Sequence, residues 1–278
     1  MFRRADPDAS VILLHIPKTA GTTLAILLRN HYGIRLMRSV GGGPEGRSRF
    51  ARLPAAERGE SRLYIGHQAF GMHEHIPRPC EYVTILREPV ARVVSHYHHV
   101  FGEPTHYLHN EVVQRRMTLE RYVENPFPTD ELDNGQTRML ADFELNRSVP
   151  IGRQDRSLLE SALRNLESRF CAVGLTERFD ESMVLMADAL GWDGLPAYLP
   201  TRVSARRKSE PLADRVRQTI VARNALDMEL YEWVKARVEA AILAGGTALA
   251  ERVEAVKERN RRVASQAASR SKGSEPWN

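Results

Sequence analysis

The sequence predicts an α/β fold in which a parallel sheet is covered by helices on both faces. Three observations support this class. Short apolar runs at 11–16, 82–86 and 170–175 are typical of buried strands. Segments with helical spacing follow these runs, and alternation of strand and helix favours parallel pairing. The chain of 278 residues suits one large domain with a full core.

The predicted elements follow from local signals. Pro17 ends the first strand, and Pro89 suits the first turn of the helix that follows the third strand. Residues 39–61, rich in Gly, Arg and Glu, predict an exposed loop, and 193–215 predict a loop rich in Pro and Arg. In chain order the elements are a strand at 11–16, a helix from 24, strands at 63–65 and 82–86, a helix through 100, a helix at 158–166, a strand at 170–175, and helices at 181–190 and 212–243.

The end of the chain differs in composition from the rest. Gly245 and Gly246 interrupt the long helical pattern, and the residues beyond them are rich in Arg and Glu. We therefore predict one domain at 8–244 and a charged helical or disordered tail at 245–278. This tail has the pattern of a solvated face or a partner-binding arm.

Composition limits the class of partner and the compartment. Hydrophobic residues make up 42% of the chain and charged ones 27%, as in ordinary soluble proteins. We expect no integral membrane segment and no signal peptide, and the 2 cysteines are too few for a disulfide framework, so we predict a cytoplasmic protein. The net charge of +5 lies mostly in the tail, which disfavours nucleic acid and favours a small anionic ligand.

The first motif, 15–23, is a strand end, a polar turn and a helix start. Its sequence is HIPKTAGTT, and it places Lys18, Thr19, Gly21, Thr22 and Thr23 around the first turn of a helix. Unpaired amides, the helix dipole, hydroxyls and an ammonium together favour an anion. The pattern is not GxxxxGK[ST], because Lys18 precedes the glycine. It therefore predicts a phosphate cradle that is distinct from a nucleoside triphosphatase loop.

The second motif, 87–97, begins at another strand end. Arg87 stands at the end of the strand, and Arg92 and Ser95 share one face of the helix that follows. A guanidinium binds phosphate oxygens with two parallel hydrogen bonds. Because ligand sites of parallel sheets gather at the carboxyl ends of the strands, we expect both motifs to hold one ligand.

These two motifs resemble those of the carbohydrate sulfotransferases related to heparan sulfate 2-O-sulfotransferase. The first is similar to their 5′-phosphosulfate loop and the second to their 3′-phosphate segment. Further similar stretches are Gly66-His67, 133–138, 173–177 and 224–231. The resemblance implies a P-loop NTPase-like α/β fold with a helical C-terminal extension. It also implies the donor 3′-phosphoadenosine 5′-phosphosulfate (PAPS), with 3′-phosphoadenosine 5′-phosphate (PAP) as product, and a carbohydrate-like or small-molecule acceptor.

Transfer to a hydroxyl needs a base. His67 follows a glycine at a strand end, where the family's catalytic histidine falls, and His73 and His75 are alternatives. Lys18 would stabilise the negative charge that develops on the departing phosphate. We predict His67 and Lys18 as catalytic, and Lys18, Thr19, Gly21, Thr22, Thr23, Arg87, Ser95 and Arg206 as donor-binding.

Several alternatives stay open. Five histidines crowd 96–109, but they lack the i,i+4 spacing of a helical metal site, so we expect no metal. Arg206 stands in a basic loop. In related enzymes such a loop closes over the nucleotide; the alternative is that its charges are simply solvated. A nucleotide-dependent kinase and a non-catalytic nucleotide-binding protein are the rival functions. The acceptor and the oligomeric state cannot be read from the sequence.

Overall fold

A computed structural model of the chain describes residues 2–124, 129–199 and 212–272. The strands in these ranges form a single five-stranded parallel sheet in the order β2-β3-β1-β4-β5. They are β1 (Ser10–Leu14), β2 (Met37–Gly42), β3 (Leu63–His67), β4 (Cys80–Leu86) and β5 (Phe170–Leu175).

Helices occupy most of the remaining described chain. The α-helices are α1 (Gly21–Tyr32), α2 (Gly43–Ala51), α3 (Ala55–Gly59), α4 (Pro89–Gly102), α5 (His109–Gln114), α6 (Leu119–Glu124), α7 (Gly135–Leu140), α8 (Phe143–Ser148), α9 (Arg156–Arg169), α10 (Phe179–Leu190), α11 (Asp214–Arg223) and α12 (Ala225–Lys272). Short 3-10 turns lie at Ile34–Leu36, Met72–His75, Asp130–Leu132 and Thr176–Arg178. Within the described ranges, none of these helices combines the length and the apolar character needed to cross a bilayer.

The central strands are buried on both faces. Every residue of β1 and β5 is buried, as is β4 from its second residue onward. Such strands read as continuous apolar runs because helices cover both sides of a parallel sheet. The predicted α/β class, with a strand–loop–helix unit at its centre and a helix at the C-terminal end, is confirmed.

Residues 39–61 were predicted to be an exposed loop, and this prediction is wrong. They contain most of β2 together with α2 and α3. β2 is an edge strand, and of its six residues only Val40 is buried. Its glycine-rich sequence and half-exposed position leave no apolar run that a sequence pattern could detect.

The helix α12 packs on both faces of the sheet. Its first half, from Leu226 to Val238, joins the core cluster under α7 and α9. At Gly246 the backbone leaves helical geometry with φ 53°, a conformation that glycine adopts without strain. Beyond this kink Leu249, Val253 and Val256 are buried in the cluster that contains α1 and α10, on the opposite face. One face of the segment predicted as a charged tail is therefore buried in the core. The predicted domain boundary at residue 244 stays a prediction.

A buried network of polar groups joins α7, α4 and α12. The carboxylate of Asp227 accepts from the amides of Gln136 (3.2 Å) and Thr137 (2.7 Å) and from the Thr137 hydroxyl (2.8 Å). It also lies 3.6 Å from the guanidinium of Arg92, which is 1% exposed. Asn134 accepts the Asp227 amide at 3.1 Å. The stretches 133–138 and 224–231, both of which resemble stretches of the carbohydrate sulfotransferases, therefore meet in the core.

A second buried ion pair braces the same region. Arg138 donates to the Asp133 carboxylate (2.8 Å) and to the backbone carbonyls of Val149 (3.0 Å) and Pro150 (2.9 Å). Both charged groups are almost fully buried. Buried charges persist only when paired and hydrogen-bonded, so Arg138 is committed to structure.

We predict that Asp227→Ala strongly destabilises the fold. The substitution leaves Arg92 buried without its carboxylate and two backbone amides without an acceptor, so we expect a loss of about 3–5 kcal/mol. Chemical denaturation measures this free energy. Glu229→Ala, on the same helix, removes an exposed partner of Arg156 and is the matched control with little expected effect. Equal stability of the two variants would contradict the role of Asp227.

Candidate functional site

A large cavity opens at the carboxyl edge of the sheet. Its volume is about 1730 Å³, more than a single small-molecule ligand requires. Seven of the predicted site residues line it: Lys18, Gly21, Thr22, Thr23, His67, Arg87 and Ser95. These come from the ends of three neighbouring strands and the helices that follow, so the predicted convergence of the two motifs is observed. Their individual roles stay predictions.

The loop between β1 and α1 is held in an unusual backbone conformation. Lys18 and Ala20 have φ angles of 70° and 66°, in the left-handed region that residues with a Cβ rarely adopt. Ala20 caps α1 without a side-chain hydrogen bond, and the amides of Gly21 and Thr22 begin the helix with no preceding turn to accept from them. Successive amides in such a turn form an anion-binding concavity. This geometry is what the sequence predicts for a phosphate cradle.

Thr19 plays a different part from its neighbours. It is fully buried, and its hydroxyl donates to the carbonyl of Ile16 at 2.9 Å. Its own carbonyl accepts from the Thr176 hydroxyl at 2.8 Å. Thr19 is not among the residues that line the cavity. The Thr19 side chain therefore helps to fix the shape of the loop, and its role in binding the donor stays a prediction.

His67 at the end of β3 has a fixed ring orientation. Its Nδ1 lies 2.8 Å from the carbonyl oxygen of His15, which can only accept, so Nδ1 carries the proton. In the neutral ring Nε2 then has the free lone pair. The side chain is exposed to the cavity, whereas the alternatives His73 and His75 do not line it. This orientation leaves Nε2 able to accept a proton, and the catalytic role of His67 stays a prediction.

The ring of His15 packs against the ring of His67. The two imidazole rings lie 4.2 Å apart, and burial, reinforced by the nearby His67, lowers the pKa of His15 to about 3. A Cβ on Gly21 would lie 2.2 Å from the His15 ring, so only glycine fits there. The glycine of the first motif thus allows close packing against the ring of His15.

Arg87 lies beside the first loop. Its guanidinium donates to the carbonyl of Lys18 at 3.2 Å. The amide of Arg87 donates to the side chain of Gln136 (3.0 Å), whose NH₂ returns a hydrogen bond to the Arg87 carbonyl (2.9 Å). Gln136 therefore fixes the backbone of Arg87. Sequence reasoning noted Gln136 only as a similar position, because this contact spans 49 residues.

The start of α4 is anchored by two carboxylates. Glu88 accepts from the amides of Val90 (3.1 Å) and Ala91 (2.6 Å) and so caps the helix that carries Ser95. Glu177 accepts the Glu88 amide at 3.0 Å and the Tyr231 hydroxyl at 3.0 Å. Burial, together with the charge of Glu177, raises the pKa of Tyr231, so this hydroxyl stays protonated as a donor. Glu177, whose chemistry the sequence did not reveal, is a positioning residue for the second motif.

The histidine-rich segment forms a compact cluster on the cavity wall. His96, His106 and Glu131 offer ligand atoms within 4.8 Å of one another. However, Nε2 of His96 donates to Glu131 at 2.6 Å, and Nδ1 of His106 accepts from the Leu108 amide at 3.2 Å, which leaves the His106 proton on Nε2. Although burial by itself raises the pKa of Glu131, the hydrogen bond from His96 lowers it to about 2. Nε2 of His96 and Nδ1 of His106 are thus engaged in hydrogen bonds, and the absence of a metal stays a prediction.

Arg206, predicted to bind the donor, lies outside the described residues.

Comparison with known proteins gives a family match over almost the whole chain. Residues 2–273 match the model of a family described as Galactose-3-O-sulfotransferase. Among curated relatives, heparan-sulfate 6-O-sulfotransferase 2 of Gallus gallus is 30% identical over 177 residues, covering 55% of this chain and 43% of that protein. Galactose-3-O-sulfotransferase 3 of Bos taurus is 31% identical over 186 residues, covering 64% of this chain and 42% of the relative. The chain thus spans less than half the length of these relatives.

Two solved structures are more distant. A mouse sulfotransferase, SULT7A1, complexed with PAP has 15% identity and a TM-score of 0.39, covering 70% of this chain and 62% of that one. A sulfotransferase from Alicyclobacillus acidocaldarius has 19% identity and a TM-score of 0.40, covering 81% of this chain and 95% of its own. The predicted relation to carbohydrate sulfotransferases is confirmed by the family match, whereas the closer relation to heparan sulfate 2-O-sulfotransferase stays a prediction.

We predict that His15 makes stability depend on pH. Its pKa is about 3 in the fold against an ordinary value of 6.5, so the unfolded chain binds the extra proton. The contribution of His15 to the free energy of unfolding is fully present above about pH 6.5 and decreases as the pH falls toward 3. For one proton the decrease is at most about 1.4 kcal/mol per pH unit. Urea unfolding at about pH 7, 5.5 and 4.5 measures the slope.

The matched variants are His15→Gln and His98→Gln. His15→Gln should reduce the slope of the pH dependence, whereas His98→Gln should leave it unchanged, because His98 is exposed on α4. An unaltered slope in His15→Gln would show that His15 is not the titrating group.

Proposed function

Because the chain belongs to the galactose-3-O-sulfotransferase family, we propose that it transfers the sulfuryl group of PAPS to a hydroxyl of a carbohydrate. One observation carries the proposal. The guanidinium of Arg87 donates to the Lys18 carbonyl, so the two predicted phosphate-binding motifs lie side by side on one cavity. A single donor with phosphates at its 5′ and 3′ positions can contact both.

The proposed donor lies across the ends of β1 and β4. Its 5′-phosphosulfate would contact Lys18 and the first amides of α1, where the helix dipole and the left-handed turn favour an anion. Its 3′-phosphate would contact Arg87 and Ser95. Gln136 and Glu88 hold these two residues in place through backbone hydrogen bonds and a helix cap.

The proposed reaction is an in-line displacement at sulfur. The acceptor oxygen forms a bond to sulfur while the bond between sulfur and the 5′-phosphate oxygen breaks, and PAP leaves with the electron pair. Nε2 of His67 receives the acceptor proton, because Nδ1 is already protonated and donates to His15. The Lys18 ammonium stabilises the charge that grows on the departing phosphate oxygen. We propose that no metal takes part, since Lys18, Arg87 and helix amides supply the positive charge.

The acceptor is proposed to approach from the β2 and β3 side of the cavity. His67 ends β3, and the residues that line this side include Gln68, Pro44 and Phe143. The relatives are named for heparan sulfate and for galactose, which supports a saccharide hydroxyl as acceptor.

We predict that PAP stabilises the protein and ATP does not. At about 100 times its dissociation constant a ligand adds about 2.7 kcal/mol of stability, which raises the melting temperature. Arg87→Ala should weaken PAP binding by about 2–5 kcal/mol, because a phosphate loses its charged partner. Arg156→Ala, an exposed arginine away from the cavity, is the control. A shift with ATP and magnesium but none with PAP would favour the rival kinase.

We predict that His67→Ala lowers turnover by about 10²- to 10⁴-fold and leaves PAP affinity nearly unchanged. The base is lost, but the residues proposed to hold the donor remain. The measurement is sulfate transfer from labelled PAPS to oligosaccharides of heparan sulfate and of galactose, together with PAP titration. His98→Ala, an exposed histidine of α4 outside the cavity, should keep full activity. Full turnover in His67→Ala would assign the base elsewhere, and binding of PAP without transfer to any acceptor would favour a non-catalytic protein.

A further inference from the structure

The last part of α12, beyond Gly246, is held firmly against the body of the protein. Its apolar stripe is buried, as described above, and Arg252 forms two hydrogen bonds to the carboxylate of Asp188 on α10. The amide of Tyr198 donates to Asn260 at 2.8 Å, and Arg259 donates to the Leu195 carbonyl at 3.0 Å. The position of this helix is therefore fixed by contacts on two sides.

One face of this helix reaches the cavity. Lys257, Asn260 and Arg261, spaced three and four residues apart, line the same cavity as Lys18 and Arg87. Residues at this spacing lie on one face of a helix. Two aromatic rings, Phe179 and Tyr198, line the cavity next to them, with ring centroids 5.5 Å apart.

Phe179, Tyr198 and the cavity-lining face of α12 together form one wall of the cavity. The topology places this wall on the side where the nucleoside of the donor is expected. The Thr176 hydroxyl, just after β5, donates to the carbonyl of Thr19 and to that of Leu86. The end of β5 thus adjoins the first loop from the β4 side, whereas His67 adjoins it from the β3 side. With sulfur placed between His67 and Lys18, the nucleoside must extend toward β4 and β5, where Phe179 and α12 stand.

The charge balance of the cavity points to the same residues. PAPS is strongly anionic, but Arg92 and Arg138, which also line the cavity, are fully buried and bound to carboxylates. Lys257 and Arg261 are 37% and 64% exposed, and their acidic partners, Glu254 and Glu258, stand on the same helix. Such exposed pairs are weak, so either cation can contact a ligand at little cost.

Asp180 is an acidic residue in this wall, beside the cations Lys257 and Arg261. It lines the cavity and accepts a hydrogen bond from the Tyr198 hydroxyl. Its charge would repel a phosphate placed directly on it, but a carboxylate and two aromatic rings suit a purine with an exocyclic amine. The wall therefore fits a nucleoside flanked by cations.

We propose that the helix beyond Gly246 is part of the donor site, with Lys257 and Arg261 contacting the nucleoside end of PAPS beside Phe179 and Tyr198. This inference rests on the proposed sulfotransferase function. It assigns a binding role to the segment that the sequence predicts as a charged tail.

The test compares two adjacent arginines. Arg261 and Arg262 both contact Glu258 and are both exposed, but only Arg261 lines the cavity. We expect Arg261→Ala to raise the dissociation constant of PAP about 3- to 5-fold, Lys257→Ala to act similarly, and Arg262→Ala to change it less than about 2-fold. Calorimetric titration with PAP measures the affinities, and melting of the unliganded variants shows that each is folded.

The outcomes separate this inference from the proposed function. Equal PAP affinity in Arg261→Ala and Arg262→Ala, with no change in Lys257→Ala, would overturn it, as would a change in the acceptor KM with PAP affinity intact. A wild-type protein that fails to bind PAP at all would overturn the proposed function itself, and this inference with it.

Discussion

The hydrogen bond from Arg87 to the Lys18 carbonyl joins the two halves of the site. Lys18 follows β1 and Arg87 follows β4, and these strands are neighbours in the sheet. Because both strands run in the same direction, their ends meet at one edge and deliver two cations to the same cavity. Lys18, whose carbonyl accepts this hydrogen bond, has a left-handed backbone conformation. Local strain in the loop and the parallel order of the sheet therefore combine to form the site.

Buried polar groups hold this arrangement in place. The side chain of Gln136 forms two hydrogen bonds with the backbone of Arg87. The backbone amide of Gln136 donates to the carboxylate of Asp227. Asp227 in turn pairs with Arg92 on the helix that presents Ser95. The site is thus connected to α7 and α12 through hydrogen bonds that are shielded from water, where each unpaired group would be costly. These contacts explain how the charges of Arg92 and Asp227 are accommodated in the core.

The sequence allowed the fold class and both motifs to be predicted, because buried strands and loop residues leave continuous local patterns. It did not reveal Gln136 or Glu177, whose contacts join segments far apart in the chain. The edge strand β2 was missed since its glycines carry no apolar signal. In the predicted tail, abundant charge hid the i, i+4, i+7 stripe of Leu249, Val253 and Val256, a helical pattern that could have been recognised. The domain division, the roles of individual site residues and the cytoplasmic location stay predictions.

The kink at Gly246 also has a consequence for association between molecules. Strand β5 stands at one margin of the sheet, and α12 contacts it while passing from one face to the other. An uncovered margin of this kind offers backbone amides and carbonyls to the strands of another copy. The contacts of α12 with β5, together with the hydrogen bond from the Arg3 amide to the Cys171 carbonyl of this strand, leave less of that margin open to such pairing.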